Sequence, residues 1–211
     1  NLASPREKVY ALSVASLLAE LKRCETLGIS FLVTHLGSHL GMGKALGAKR
    51  IVEAINCVFS KVKNNVMLLL ENTAGTRNSM GSSFEDINRV IDGVEDWRRV
   101  GICFDTCHAF AAGYDLRGER SVNRVIERLD DVLGWETLKL VHLNDSKGGF
   151  RSGIDRHEHI GLGKIGEQGF KNILQSEFRT LPLIMETPVD SRRGDLDNLK
   201  KVQKLTIKWN P

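Results

Sequence analysis

The sequence predicts an α/β fold built from parallel βα units, and three observations predict it. Five apolar runs, Phe31-Leu-Val-Thr-His35, Val66-Met-Leu-Leu-Leu-Glu71, Gly101-Ile-Cys-Phe-Asp105, Leu138-Lys-Leu-Val-His142 and Leu181-Pro-Leu-Ile-Met-Glu186, recur every 34 to 44 residues. They are continuous rather than alternating, the pattern of strands covered on both faces, and helix-like sequence separates them. Each run also ends on a side chain able to bind a metal. In parallel sheets and barrels the C-terminal strand ends share one face, so His35, Glu71, Asp105, His142 and Glu186 are expected to crowd together there. Crowded carboxylates repel one another unless a cation sits among them.

The elements follow in order. The chain opens on Asn1 and directly into a helix start, with Ser4 as N-cap, Pro5 at the first helical position and Glu7 completing a capping box. That helix should run to about Leu27 and stop at Gly28, which tolerates the left-handed terminal conformation. After the strand ending at His35, a loop of residues 36–43 precedes a helix through about Val62. The strand ending at Glu71 leads through a polar loop, residues 72–82, to a helix over 83–94 and the strand ending at Asp105. A loop containing His108 follows, then a helix capped by Ser121 and reaching about Leu133, and the strand ending at His142. Residues 143–165 are read as one long loop, rich in Gly and charge, of the sort usually kept for function. Helices over 167–178 and 196–205 flank the strand ending at Glu186.

Five strands make either an open parallel sheet or a closed barrel lacking about its first three strands, since a closed βα barrel has eight. The helix-first start favours the barrel. The expected organisation is one domain over residues 1–211, a monomer, without linker or sequence repeat.

With 27% charged and 41% hydrophobic residues, the composition is that of an ordinary globular protein. The net charge of +4 permits a polyanionic partner but is too small to argue for one. Cys24, Cys57, Cys103 and Cys107 form no CxxC pair, which speaks against a secreted disulfide framework and for a reducing, cytoplasmic setting. Cys103 and Cys107 flank Asp105, so a thiolate metal site is one reading and buried small apolar residues the preferred one. No apolar run approaches the roughly 18 to 20 residues of a membrane span, so no membrane partner is expected.

Eight candidate ligands are expected on one face: the five strand-end residues with His108, Asp155 and His157 from loops. Four imidazoles among them point to Zn²⁺, with Mn²⁺ possible, because Mg²⁺ prefers oxygen ligands. Eight groups exceed what one tetrahedral ion takes. Singly, each is better explained as a helix cap or a loop hydrogen-bonding residue than as a ligand; five independent strands ending this way by chance is improbable. His39 and His159 are read as supporting or structural. The stretch Gly161-Leu-Gly163-Lys-Ile-Gly166 resembles a phosphate loop, but it follows no strand and is read as a turn. Lys44, Arg77, Lys147, Arg151 and Arg156 lie on loops of the same face, where they are either solvated charge or phosphate contacts.

The stretches Thr34-His35-Leu-Gly-Ser-His39-Leu-Gly41, Leu70-Glu71-Asn-Thr-Ala-Gly75, Phe104-Asp105-Thr-Cys-His108-Ala-Phe-Ala-Ala-Gly-Tyr114-Asp115, His142-Leu-Asn-Asp145-Ser, Asp155-Arg-His157-Glu-His-Ile-Gly161 and Met185-Glu186-Thr-Pro188 resemble endonuclease IV, the zinc-dependent apurinic/apyrimidinic endonuclease family of DNA repair. The likeness covers essentially the whole chain with order and spacing kept. It implies a TIM barrel carrying three zinc ions. One would be held by Glu71, Asp105, His142 and Glu186 and another by His108, Asp155 and His157. The third would use His35, the bridging Glu71 and a His from an earlier strand, so that site is incomplete here. Leu36, Thr76-Arg77 and Leu162 depart from the usual Pro, Gln-Gly and Glu of relatives.

The resemblance implies hydrolysis of the phosphodiester 5′ of abasic sites in double-stranded DNA, leaving a 3′-hydroxyl and a 5′-deoxyribose phosphate. Clustered zinc ions both activate water and neutralise charge on the phosphate, so no nucleophilic side chain is required. Glu71 or Glu186 would orient or deprotonate the attacking water. An abasic nucleotide has no base to unstack, which makes its extrusion easy and selective. Two alternatives stand: a metal-dependent sugar isomerase or epimerase on a similar barrel, and an inactive zinc-binding remnant.

Overall fold

The computed structural model describes residues 1–206 as two compact units, Asn1–Cys103 and the part from Phe104 on. The first unit holds helix α1 (Glu7–Leu27), strand β1 (Phe31–His35), helix α2 (Lys44–Lys61), strand β2 (Met67–Glu71) and helix α3 (Phe84–Gly93). It also holds most of strand β3 (Val100–Asp105), entered through a 3₁₀ turn at Trp97–Arg99. The strands lie parallel in the order β1-β2-β3. β2 is central, and Leu68, Leu69 and Leu70 are all fully buried. Consecutive buried side chains point to opposite faces, so both faces are covered; each such leucine stabilises the fold by about 1.5–3 kcal/mol. Ile51, Ala54, Ile55 and Val58 of α2 and Phe84, Ile87 and Val90 of α3 complete this core at helical spacing. β1, with a strand on one side only among the described residues, is only half-buried, unlike the doubly covered strand its apolar run suggested.

The predicted start of α1 is corrected. Its N-cap is Arg6, with no side-chain cap; Ser4 Oγ instead accepts the Arg6 N–H at 3.2 Å. The Glu7 carboxylate cannot close a capping box because Arg50 of α2 holds it at 2.8 Å. Gly28 does end the helix in the left-handed region, φ 67°, donating its N–H to the carbonyls of Cys24 and Glu25. Ser83 caps α3 by accepting the Asp86 N–H.

The second unit begins with the end of β3 and continues through α4 (Thr106–Ala112), α5 (Glu119–Leu133), β4 (Leu138–His142), β5 (Asp145–Ser146), β6 (His157–Glu158), α6 (Gly166–Gln175), β7 (Leu183–Ile184) and α7 (Asp195–Thr206). β4 and β7 pair in parallel, His142 opposite Ile184. The inward stripe of α5, Val122, Val125, Ile126, Leu129 and Leu133, keeps one face. Phe104 stacks on Phe178 with ring centroids 4.9 Å apart.

Four expectations change in this unit. His108 lies in helix α4, not a loop. The helix Ser121 was to cap starts three residues earlier, at Glu119 with Gly118 as N-cap, and Ser121 Oγ reaches back to accept the Gly118 N–H at 3.1 Å. Residues 143–165 are not structureless, since β5 and β6 form an antiparallel ribbon within them. The last apolar run gives a strand of two residues; Glu186 lies two residues beyond it and is exposed, and exposed Pro182, which lacks an N–H, precedes it.

Candidate metal centre

In the first unit the parallel register sets His35 beside Glu71, and His35 Nε2 lies 3.0 Å from Glu71 Oε2. Glu71 is buried, whereas His35 is half exposed. Two strand ends therefore deliver an imidazole and a carboxylate to one point, as expected. Nearby His39 is structural: its Nδ1 accepts the N–H groups of Gly41 and Gly43 at 3.2 and 3.0 Å, which shapes the loop after β1. Lys44 is occupied by the buried Asp86 carboxylate at 2.6 Å. Arg77 is exposed on the loop after β2.

In the second unit Asp105 has two tasks. Its Oδ1 caps α4 by accepting the His108 N–H at 2.7 Å, and its Oδ2 accepts from Asn144 Nδ2 at 2.6 Å. The cap starts a helix whose first turn carries His108, so the spacing of three between these residues is one helical turn. His108 Nε2 lies 3.1 Å from Asp155 Oδ1, and the His108 and His157 rings are 5.4 Å apart. One ligand atom each of His108, Asp155 and His157 lies within 4.8 Å of the others. His142 Nδ1 meets Glu186 Oε2 at 3.1 Å. Six of the predicted residues are thus drawn into two groups in this unit, bridged by Asn144, which also accepts the Glu186 N–H at 2.8 Å.

A metal ion fits the donor set on one observation above all. His157 Nδ1 is fixed to the Glu186 carbonyl oxygen at 3.1 Å, so Nδ1 carries the proton and Nε2 presents a lone pair. That Nε2 is buried and has no hydrogen-bond partner, with Asp105 and Asp155 oxygens 3.7 and 3.8 Å away. A buried imidazole nitrogen left so, anchored through its other nitrogen to a carbonyl, is the arrangement of a metal-ligating histidine.

Cys107 is near enough to join Asp105 and His157, yet burial pushes its thiol up to about 12 and its Sγ–H donates to the Arg156 carbonyl at 3.6 Å. It is a neutral buried thiol, in line with the preferred reading, and all four cysteines are free. Lys147, Arg151 and Arg156 are exposed on the segment between β5 and β6.

Two residues quoted within the motifs but given no role are central. Asn144 orders Asp105 and Glu186. The Asp145 carboxylate accepts backbone N–H groups from Ser146, Gly161, Gly163, Ile165 and Gly166. The glycine-rich stretch is therefore an anion cradle, and its anion is the chain's own carboxylate. An Asp after a strand-end His, upstream of a Gly-x-Gly turn, was the available signal.

Fold and donor set together define an α/β protein with a candidate metal site, of the class described as Xylose isomerase-like TIM barrel, whose family profile matches residues 1–209. The "Probable endonuclease 4" of Methanoculleus marisnigri is 55% identical over 207 residues, covering 97% of this chain and 73% of the relative. The "Apurinic-apyrimidinic endonuclease 1" of Plasmodium falciparum is 42% identical over 98% of this chain and 34% of its own length. The crystal structure of endonuclease IV from Thermus thermophilus superposes with a TM-score of 0.83 at 31% identity, covering 98% of this chain and 72% of that one. The chain belongs to the endonuclease IV family, a family of nucleases.

Proposed function

We propose that this protein is a DNA-repair endonuclease that hydrolyses the phosphodiester 5′ of abasic sites in duplex DNA with zinc as its metal. Family membership supports the nuclease class, and the buried lone pair of His157 beside Asp155 and His108 is the observation that carries the metal reading. The proposed ligands are His35 and Glu71 on the first unit and Asp105, His108, His142, Asp155, His157 and Glu186 on the second. Bound zinc would supply a water ionised near neutral pH and neutralise charge on the scissile phosphate and the departing 3′-oxygen. The remaining work falls to the chain. Glu186, exposed and steered by Asn144, and Glu71 are the carboxylates able to orient or deprotonate the water. Arg77, Lys147, Arg151 and Arg156 are exposed and suited to phosphate contact. A sugar isomerase has no use for the additional His108, Asp155 and His157 group.

The test is a duplex oligonucleotide carrying one abasic site. The intact, zinc-loaded protein, with any segment that precedes Asn1, should nick it 5′ of the lesion and leave an end that a polymerase extends. Full activity after exhaustive chelation, or no nicking by the intact zinc-loaded protein, would refute the proposal.

A further inference from the structure

The segment after β7 carries Glu186 and then runs without strand pairing to α7, among the described residues. It is held instead by a compact set of polar contacts to the segment that carries His157. Arg192 grips the Glu158 carboxylate with both terminal nitrogens, at 3.0 and 2.9 Å, and the same guanidinium holds Asp190 at 2.7 Å. Asp190 in turn accepts from Nε2 of fully buried His159 at 3.0 Å. Asn198 of α7 donates to His159 Nδ1 at 2.9 Å, which fixes that tautomer, and accepts the Ile160 N–H at 3.1 Å. Arg193 closes the set by donating to the Ile160 carbonyl at 2.8 Å.

All of these contacts except the Arg192–Asp190 pair join residues 158–160 to residues 190–198. His157 precedes the first of these segments, and the carbonyl that orients its ring belongs to Glu186, just ahead of the second. The Glu186 backbone is held at its N–H by Asn144, and the segment that follows it is held by this clamp. We infer that Arg192, acting with Asp190, is a positioning residue for the metal ligand His157, holding the Glu186 carbonyl where it fixes the imidazole's tautomer and aim. This rests on the metal reading of His157 given above. A planar, five-donor guanidinium is needed, because it must serve two carboxylates at once; an ammonium makes one such contact well. Arg192 is half exposed, so its loss opens no cavity in the apolar core, but it takes from the buried Glu158 carboxylate its guanidinium partner.

The test uses the full chain and cobalt(II) or zinc alone as probe. Metal affinity is measured by competition with a chromophoric chelator for the parent, Arg192→Gln, Arg192→Lys and Asp190→Asn, with cobalt absorption spectra and thermal unfolding of the metal-free proteins alongside. Supporting ligands of this kind contribute about 10–100-fold to metal affinity. Arg192→Gln should weaken the most labile equivalent by about 10-fold or more and alter the cobalt spectrum, beyond what any lowering of the unfolding midpoint accounts for. Arg192→Lys should recover part of the loss, and Asp190→Asn should give an intermediate one. Unchanged affinity and spectrum in both Arg192→Gln and Asp190→Asn, while the parent binds metal, overturns the inference alone. A parent that binds no metal overturns the metal reading itself. Affinity that falls only in proportion to a lowered unfolding midpoint in both variants also overturns it, because the residues then serve stability rather than position.

Discussion

Replacing Asp145 by Ala should destabilise the second unit more than its place in a two-residue strand suggests. Five backbone N–H groups converge on this carboxylate: Ser146 at 2.8 Å, Ile165 and Gly161 at 3.0 Å, Gly163 at 2.9 Å and Gly166 at 3.3 Å. Ser146 and Ile165 are buried, so their amides would be stranded without water. An orphaned buried donor costs about 1–3 kcal/mol, and the two together about 2–6 kcal/mol. The three glycines are half-buried and can regain water, so they add little. Against a total stability of about 5–15 kcal/mol this is a large fraction. Urea unfolding followed by circular dichroism measures it, and hydrogen exchange at the amides of residues 161, 163 and 165 locates it. A loss below about 1 kcal/mol, or unchanged protection at those amides, would refute the cradle as a source of stability.

Gly163→Ala should destabilise through the same cradle, because a Cβ there would overlap the Asp145 carboxylate and the Ser146 carbonyl oxygen; a melting temperature equal to the parent's would contradict this. In native protein at pH 7.5, Cys107 should resist iodoacetamide while half-buried Cys57 reacts, since a thiol pushed up to about 12 holds almost no thiolate, and mass-spectrometric mapping decides the order. Glu71→Gln should lower abasic-site cleavage by at least about 10-fold more than His39→Gln, because Glu71 is a proposed ligand while His39 serves only its own loop; equal losses would contradict the ranking. The hydrogen bonds from Arg117 hold the Asp115 carboxyl below its usual range, so the stability of that pair is present above about pH 4 and lost as pH falls through the lower folded value. Carboxyl titration by NMR should show Asp115 rising toward the ordinary value in Arg117→Gln.

How far the sequence could be read depends on what each residue's signal is made of. Continuous apolar runs marked β2 and β3 well, because strands covered on both faces need such composition, and the ligand at the end of each run followed. Periodicity could not reveal β5 and β6, which have two residues each and are defined by an antiparallel register rather than by pattern. Helix α4 was missed because the cap reading of Asp105 gave way to the ligand reading, although the two are compatible and Asp before Thr-Cys-His is an ordinary helix start. Ser4 and Glu7 fit a capping pattern that lost to the long-range attraction of Arg50. The roles of Asn144, Asp145 and Arg192 rest on residues dozens of positions away, and no local window contains them.

The double duty of Asp105 governs what change this stretch can absorb. Because its cap opens the helix that carries His108, the separation of the two is counted in helical turns, and one inserted residue would swing the imidazole about 100° around the helix. Residues 147–153, exposed for the most part and outside the β5–β6 ribbon, are not counted in helical turns, although the Arg151 and Gly153 N–H groups donate to the Phe110 and Ala111 carbonyls of α4. Variation in length should therefore accumulate in the ribbon's tip and be absent between Asp105 and His108, where even a conservative insertion would be read as a loss of the site.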